Sequence, residues 1–139
     1  MTASPSARPS RRLTIALWVA QVLLALAFGM AGVLKLSTPG PELLANGMAW
    51  AGRVPQWMIY FIGASELLGA IGLILPAALR IVPKLTGFAG AALALVMVLA
   101  AGEHILAGEF SHVPVNVVLG GIAAFVAWGR LAAAPIEPR

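Results

Sequence analysis

The sequence predicts an all-α fold: an up-down bundle of four transmembrane helices, with a short interfacial helix in the first outer loop. Three observations carry this expectation. The chain has 139 residues, 60% of them hydrophobic and only 10% charged, whereas an ordinary soluble domain carries about 25% charged residues. The apolar residues gather into four runs, 13–34, 57–75, 85–102 and 113–129, each close to the ~20 residues a helix needs to cross a bilayer. The basic residues stand between these runs rather than in a patch or stripe. The net charge of +4 therefore does not point to nucleic acid.

Taken in order, residues 1–12 form a Ser/Pro-rich tail expected to be disordered. The first span is predicted over 13–36. Ser10-Arg11-Arg12 before an apolar run resembles an export signal. The run is longer than the ~7–15 residues of a signal core, so an uncleaved helix is expected. Pro39 and Pro41 end it. Leu43, Leu44, Gly47, Met48 and Ala51 then recur at helical spacing, with Glu42, Asn46 and Arg53 off that face, which reads as an amphipathic helix lying in the interface. The second span is predicted over 57–75, closed by Pro76, and the third over 85–107, after Pro83. Pro114 suits the first turn of the fourth, 113–131, because its missing N–H costs nothing there. Arg130 is expected to snorkel to the headgroups. Residues 132–139 form a second tail.

Charge sets the orientation. Arg8, Arg11, Arg12, Arg80, Lys84, Arg130 and Arg139 share one side of a four-span bundle, and only Lys35 and Arg53 lie on the other. The positive-inside rule places both termini in the cytoplasm of a cell with this protein in its inner membrane. Stripes of small residues predict helix contacts: Gly29 and Gly32 on the first span, Ser65, Gly69 and Gly72 on the second, Gly87, Gly90, Ala91 and Ala94 on the third. Such faces also permit self-association into a homo-oligomer.

The chemistry concentrates in the outer half. Glu66 is the one charge inside its run, and a carboxylate at the helix centre costs about 2.5–3.5 kcal/mol on insertion scales. It lies nine residues after Trp57, hence roughly 13 Å below the boundary at 1.5 Å per residue. Lys35, Glu103, His104 and Asn116 approach the same level from the other three helices. Gln21, Phe28 and Lys35 form one stripe, so Gln21 faces inward if Lys35 does. Gly63 and Gly69 leave room beside Glu66.

Three readings of this cluster stay open. It is a structural network fixing helix register, a pocket for a small molecule binding Lys35, Glu66, Glu103, His104 and Asn116, or a proton path. In a pocket, Glu66 and His104 are the candidates for proton transfer, since a carboxyl and an imidazole are suited to that task. No metal is expected: Glu103, His104, Glu109 and His112 match no standard spacing, and the chain has no cysteine. The sequence names no cofactor.

The blocks Gly32-Val33-Leu34-Lys35-Leu36 and Ile62-Gly63-Ala64-Ser65-Glu66-Leu67-Leu68-Gly69, with Val54-Pro55, His104 and Arg130 at their places, resemble the DoxX-like family of small four-helix membrane proteins. The resemblance covers about residues 13–131. It implies a membrane component of a redox or stress-response system. Some members are linked to quinone-coupled sulfur oxidation as the membrane subunit of a thiosulfate:quinone oxidoreductase, others to oxidative-stress complexes. A quinone and membrane redox partner proteins are thus what the resemblance suggests. The absence of cysteine argues against thiol exchange here, not against quinone contact.

Overall fold

Ser10 starts the first helix. In a computed structural model that describes residues 8–139, its hydroxyl accepts a hydrogen bond from the Leu13 amide at 3.2 Å and its carbonyl one from Thr14 at 3.1 Å. This N-cap satisfies donors that would otherwise be orphaned. Helix α1 accordingly runs Arg11–Ser37, and Arg11 and Arg12 are helical rather than part of the expected tail. Residues 1–7 of that tail lie outside the described residues. The buried residues of α1, Leu17, Ala20, Gln21, Leu24, Phe28, Gly32 and Lys35, form one face at helical spacing.

Thr38 is extended, as the residue before a proline prefers. The first outer loop differs from expectation. Its helix is divided into α2, Gly40–Ala45, and a 3-10 turn, Ala49–Gly52. The reason is Gly47, whose φ of +94° no right-handed helix accommodates. Leu43 and Ala51 still bury together against Ile59, while Leu44 faces outward. The Gly40 amide donates to Gln56 Oε1 at 2.7 Å and ties this loop to the start of the next helix.

Helix α3 spans Gln56–Leu79 and α4 spans Lys84–Leu106. α3 passes through Pro76 instead of stopping before it, and ends at Arg80 in the left-handed region (φ 59°). Proline forfeits the bond its own N–H would make and crowds the carbonyl four residues back, yet one turn beyond it remains helical. Val82 (φ 43°) completes a strained turn into α4. After Gly108 and a 3-10 turn at Phe110–His112, α5 spans Val113–Trp128 and closes in a π-helical turn, Gly129–Ala133.

α1, α3, α4 and the continuous helical stretch Phe110–Ala133 that contains α5 are each apolar and long enough to cross a bilayer. They alternate in direction. The end of the bundle where α1 starts and α5 finishes is called basal below, and the opposite end apical. α1 packs most extensively on α3, and α4 on α5. Both seams are backbone contacts. A Cβ on Gly32 would stand 2.7 Å from the Gly63 carbonyl oxygen, and one on Gly90 would stand 2.9 Å from that of Ala123. The predicted small-residue stripes are thus largely occupied within the chain. Leu24, Phe28, Leu73, Leu93, Ala123 and Val126 fill the middle. Large side chains such as Met30, Leu68 and Val98 point outward, as they must where the solvent is lipid. The chain is a multi-pass membrane protein.

Candidate functional site: a polar-floored apical cavity

The α1–α3 seam determines the position of the apical ion pair. Gly63 leaves room for the Lys35 stem, since a Cβ there would sit 2.8 Å from Lys35 Cβ. Lys35 Nζ thereby reaches across to donate to Glu66 Oε2 at 2.6 Å. The two residues are 8% and 4% exposed. The Trp50 ring, brought in by the 3-10 turn of the first outer loop, stands 5.9 Å from the ammonium, within the range of a cation–π contact.

This pair lies at one side of a cavity of about 350 Å³ between the two helix pairs. The walls are mainly apolar, from Met58, Phe61 and Ile62 of α3 and Val96, Met97 and Leu99 of α4. Phe61 and Leu99 are 67% and 64% exposed, so the cavity borders the lipid-facing surface between α3 and α4. Glu103, His104 and Asn116 complete the lining. All five residues named from sequence therefore share one cavity. Asn116, in the first turn of α5, is 8% exposed and its Nδ2 has no hydrogen-bond partner. A buried donor without a partner costs about 1–3 kcal/mol, which a bound acceptor relieves.

The rim is built differently from the sequence reading. Arg53 was placed on the polar side of the interfacial helix, yet it clamps the α4–α5 loop. Its Nε donates to Glu103 Oε1 at 2.9 Å and its Nη1 to Glu109 Oε1 at 3.0 Å. His104 Nδ1 lies 2.8 Å from Glu109 Oε2, and the His104 and His112 rings stack at 4.9 Å. Arg53 and His104 hold the Glu109 carboxyl down at about 2, against an ordinary 4.5. The same carboxylates raise Arg53 above its ordinary value. Glu103, His104 and Glu109 offer donor atoms within 4.8 Å of one another, and Arg53 engages Glu103 Oε1 and both Glu109 oxygens. Arg53 and Glu109 were missed as a pair. The available signal was that Arg53 is the sole basic residue of the first outer loop and two carboxylates flank the second.

Arg130 is a correction. It does not snorkel. It is 3% exposed and its Nε donates to Gln21 Oε1 at 2.6 Å, while Gln21 Nε2 donates to the Leu73 carbonyl at 2.6 Å. The π-helical turn rotates the side chain into the bundle, where the inward-facing Gln21 supplies an acceptor. The apolar layer of Leu24, Phe28, Ala70 and Leu73 separates this basal group from the apical pair.

Among known proteins, a family model described as the DoxX-like family matches residues 19–126. That stretch holds Lys35, Glu66, Glu103, His104 and Asn116. Neither a curated protein nor a solved structure matches the chain.

Proposed function

The chain belongs to the DoxX-like family, and we propose that it binds a small hydrophobic, quinone-like molecule in its apical cavity in support of a membrane redox or stress-response system. One observation carries the reading: a cavity with apolar walls at the lipid boundary is also lined by Lys35 and by Asn116, whose buried Nδ2 is an unsatisfied donor. A quinone head offers carbonyl acceptors to such donors and an apolar ring to such walls. The volume of about 350 Å³ falls at the lower end of ligand sites, roughly 300–1,000 Å³, enough for a head group whose tail leaves between Phe61 and Leu99. A quinone, when bound, carries electrons and protons between membrane partners. The chain's residues orient the head, exclude water and offer Glu66 and His104 as proton-bearing groups. In this reading the protein sits in the inner membrane with cytoplasmic termini, following the basic residues at the basal end.

The apolar layer between the apical and basal polar groups argues against a proton path through the bundle. The scaffold reading is favoured by one fact, that Glu66 is already engaged by Lys35 at 2.6 Å. Asn116→Leu separates the alternatives, because it removes the orphan donor and leaves the ion pair untouched. Protein purified in mild detergent is extracted, and bound lipid-like molecules are identified by mass spectrometry. Binding of a short-chain benzoquinone is measured in parallel. The expected result is unchanged or raised thermal stability with binding weakened about tenfold, as loss of a hydrogen bond of about 1–1.5 kcal/mol predicts. Wild-type protein that carries no such molecule and ignores the benzoquinone refutes the proposal and leaves the scaffold.

A further inference from the structure

The basal end holds a second cavity, of about 380 Å³, lined by Thr14 and Trp18 of α1, Ala77, Arg80 and Arg130. Its chemistry is opposite to that of the apical one. Arg130 is almost wholly buried. Its Nε is engaged by Gln21, its Nη1 makes a long 3.4 Å bond to the Ala134 carbonyl, and its Nη2 has no partner. The Trp18 ring stands 5.3 Å from the guanidinium carbon. Among the described residues, no carboxylate comes within ion-pair distance of Arg130 or Arg80. Arg80 donates its Nε to the Glu137 carbonyl at 2.8 Å, which holds the guanidinium at the cavity.

A buried cation without a counter-charge is costly, and structures retain one only with a compensating anion or dipoles. Gln21 supplies a dipole and no charge. The remaining donor belongs to a guanidinium, whose planar fork matches the oxygens of a phosphate. The surroundings agree in sign. Arg8, Arg11, Arg12, Arg80, Lys84, Arg130 and Arg139 lie at the basal end, against one acidic side chain, Glu137.

We propose that the basal cavity binds a phosphate group, held by the guanidinium groups of Arg130 and Arg80, with Trp18 stacked against Arg130 rather than against the anion. The phosphate comes either from the headgroup of an anionic phospholipid or from free phosphate. This site is independent of the apical one and of its ligand.

The test uses the full chain in neutral detergent, titrated separately with phosphatidylglycerol, phosphatidylcholine and inorganic phosphate, with binding read by native mass spectrometry and thermal shift. A cationic contact to an anionic headgroup contributes about 1 kcal/mol per Lys or Arg, or about fivefold in affinity. Phosphatidylglycerol is expected to bind more tightly than phosphatidylcholine, and Arg80→Asn to lose about fivefold of that. Asparagine tolerates the left-handed backbone at this position, so the variant folds. Lys84→Gln, which removes a basal charge outside the cavity, is expected to leave binding unchanged. Phosphatidylglycerol binding that depends on Arg80 identifies a lipid source, and stabilisation by inorganic phosphate that depends on Arg80 identifies a free one. Absence of both overturns the proposal. Equal losses in Arg80→Asn and Lys84→Gln also overturn it, because they mean diffuse surface attraction rather than a site.

Discussion

Replacing Lys35 by methionine tests what the apical ion pair does for the fold. The charges stand 2.6 Å apart with side chains 10% and 5% exposed. At an effective dielectric constant of about 20 their attraction is about 6 kcal/mol. Burying each ion costs several kcal/mol. The pair as a unit therefore nearly breaks even, and the asymmetry lies in breaking it. Lys35→Met leaves Glu66 buried without its cation and is expected to cost about 3–5 kcal/mol. Glu66→Gln is expected to cost less, since the lysine is one turn from the apical surface and can lift its ammonium toward it. The double variant Lys35→Met/Glu66→Met removes both charges and keeps two flexible apolar stems. It is expected to fall within about 1 kcal/mol of wild type. The assay is reversible unfolding in mixed micelles, read as a double-mutant cycle. Additive losses, or a Lys35→Met variant as stable as wild type, would show that the pair is not coupled as described.

The remaining predictions concern the rim and the seam. The Glu109 carboxyl is expected to titrate near 2 in wild type and to return toward 4.5 in Arg53→Gln, followed by carbon NMR of the labelled side chain. Because its folded value is depressed, the clamp is fully present above about 4.5 and is lost as pH falls toward 2. A wild-type midpoint at the ordinary value would remove the clamp from the account. Gly32→Ala should cost about 1–3 kcal/mol, because its Cβ meets backbone atoms that cannot move aside. Gly121→Ala, where nothing lies within 4 Å, should be neutral or gain up to about 1 kcal/mol in helix propensity. Thermal unfolding of both variants in the same detergent checks the contrast.

The fold was legible because lipid imposes so coarse a rule. Four apolar runs, proline punctuation and the distribution of arginines leave little choice of topology. The inward stripe of Gln21, Phe28 and Lys35 follows from the helical period alone, and it puts Lys35 in the same outer-half cluster as Glu66. The errors were local. Gly47 split the interfacial helix through its backbone angle, which a side-chain periodicity does not register. Arg53 was assigned to the polar face of that helix, and the break turned it instead onto Glu103 and Glu109. Arg130 was read by the general habit of arginine at a helix end. Its burial depends on a π-helical turn and on Gln21, more than a hundred residues earlier, neither of which hydropathy reveals.

The two helix pairs meet along a cleft that is latched at either rim. Gln21–Arg130 is the basal latch, buried and sheltered. Arg53 with Glu103 and Glu109 is the apical one, and the Arg53 side chain is 40% exposed. Water and salt erode an exposed latch far sooner than a sheltered one. The molecule is thus built like a clothes peg: its jaws are the apical ends of α3 and α4, its spring is the basal arginine, and whatever prises it open gains leverage from the apical side.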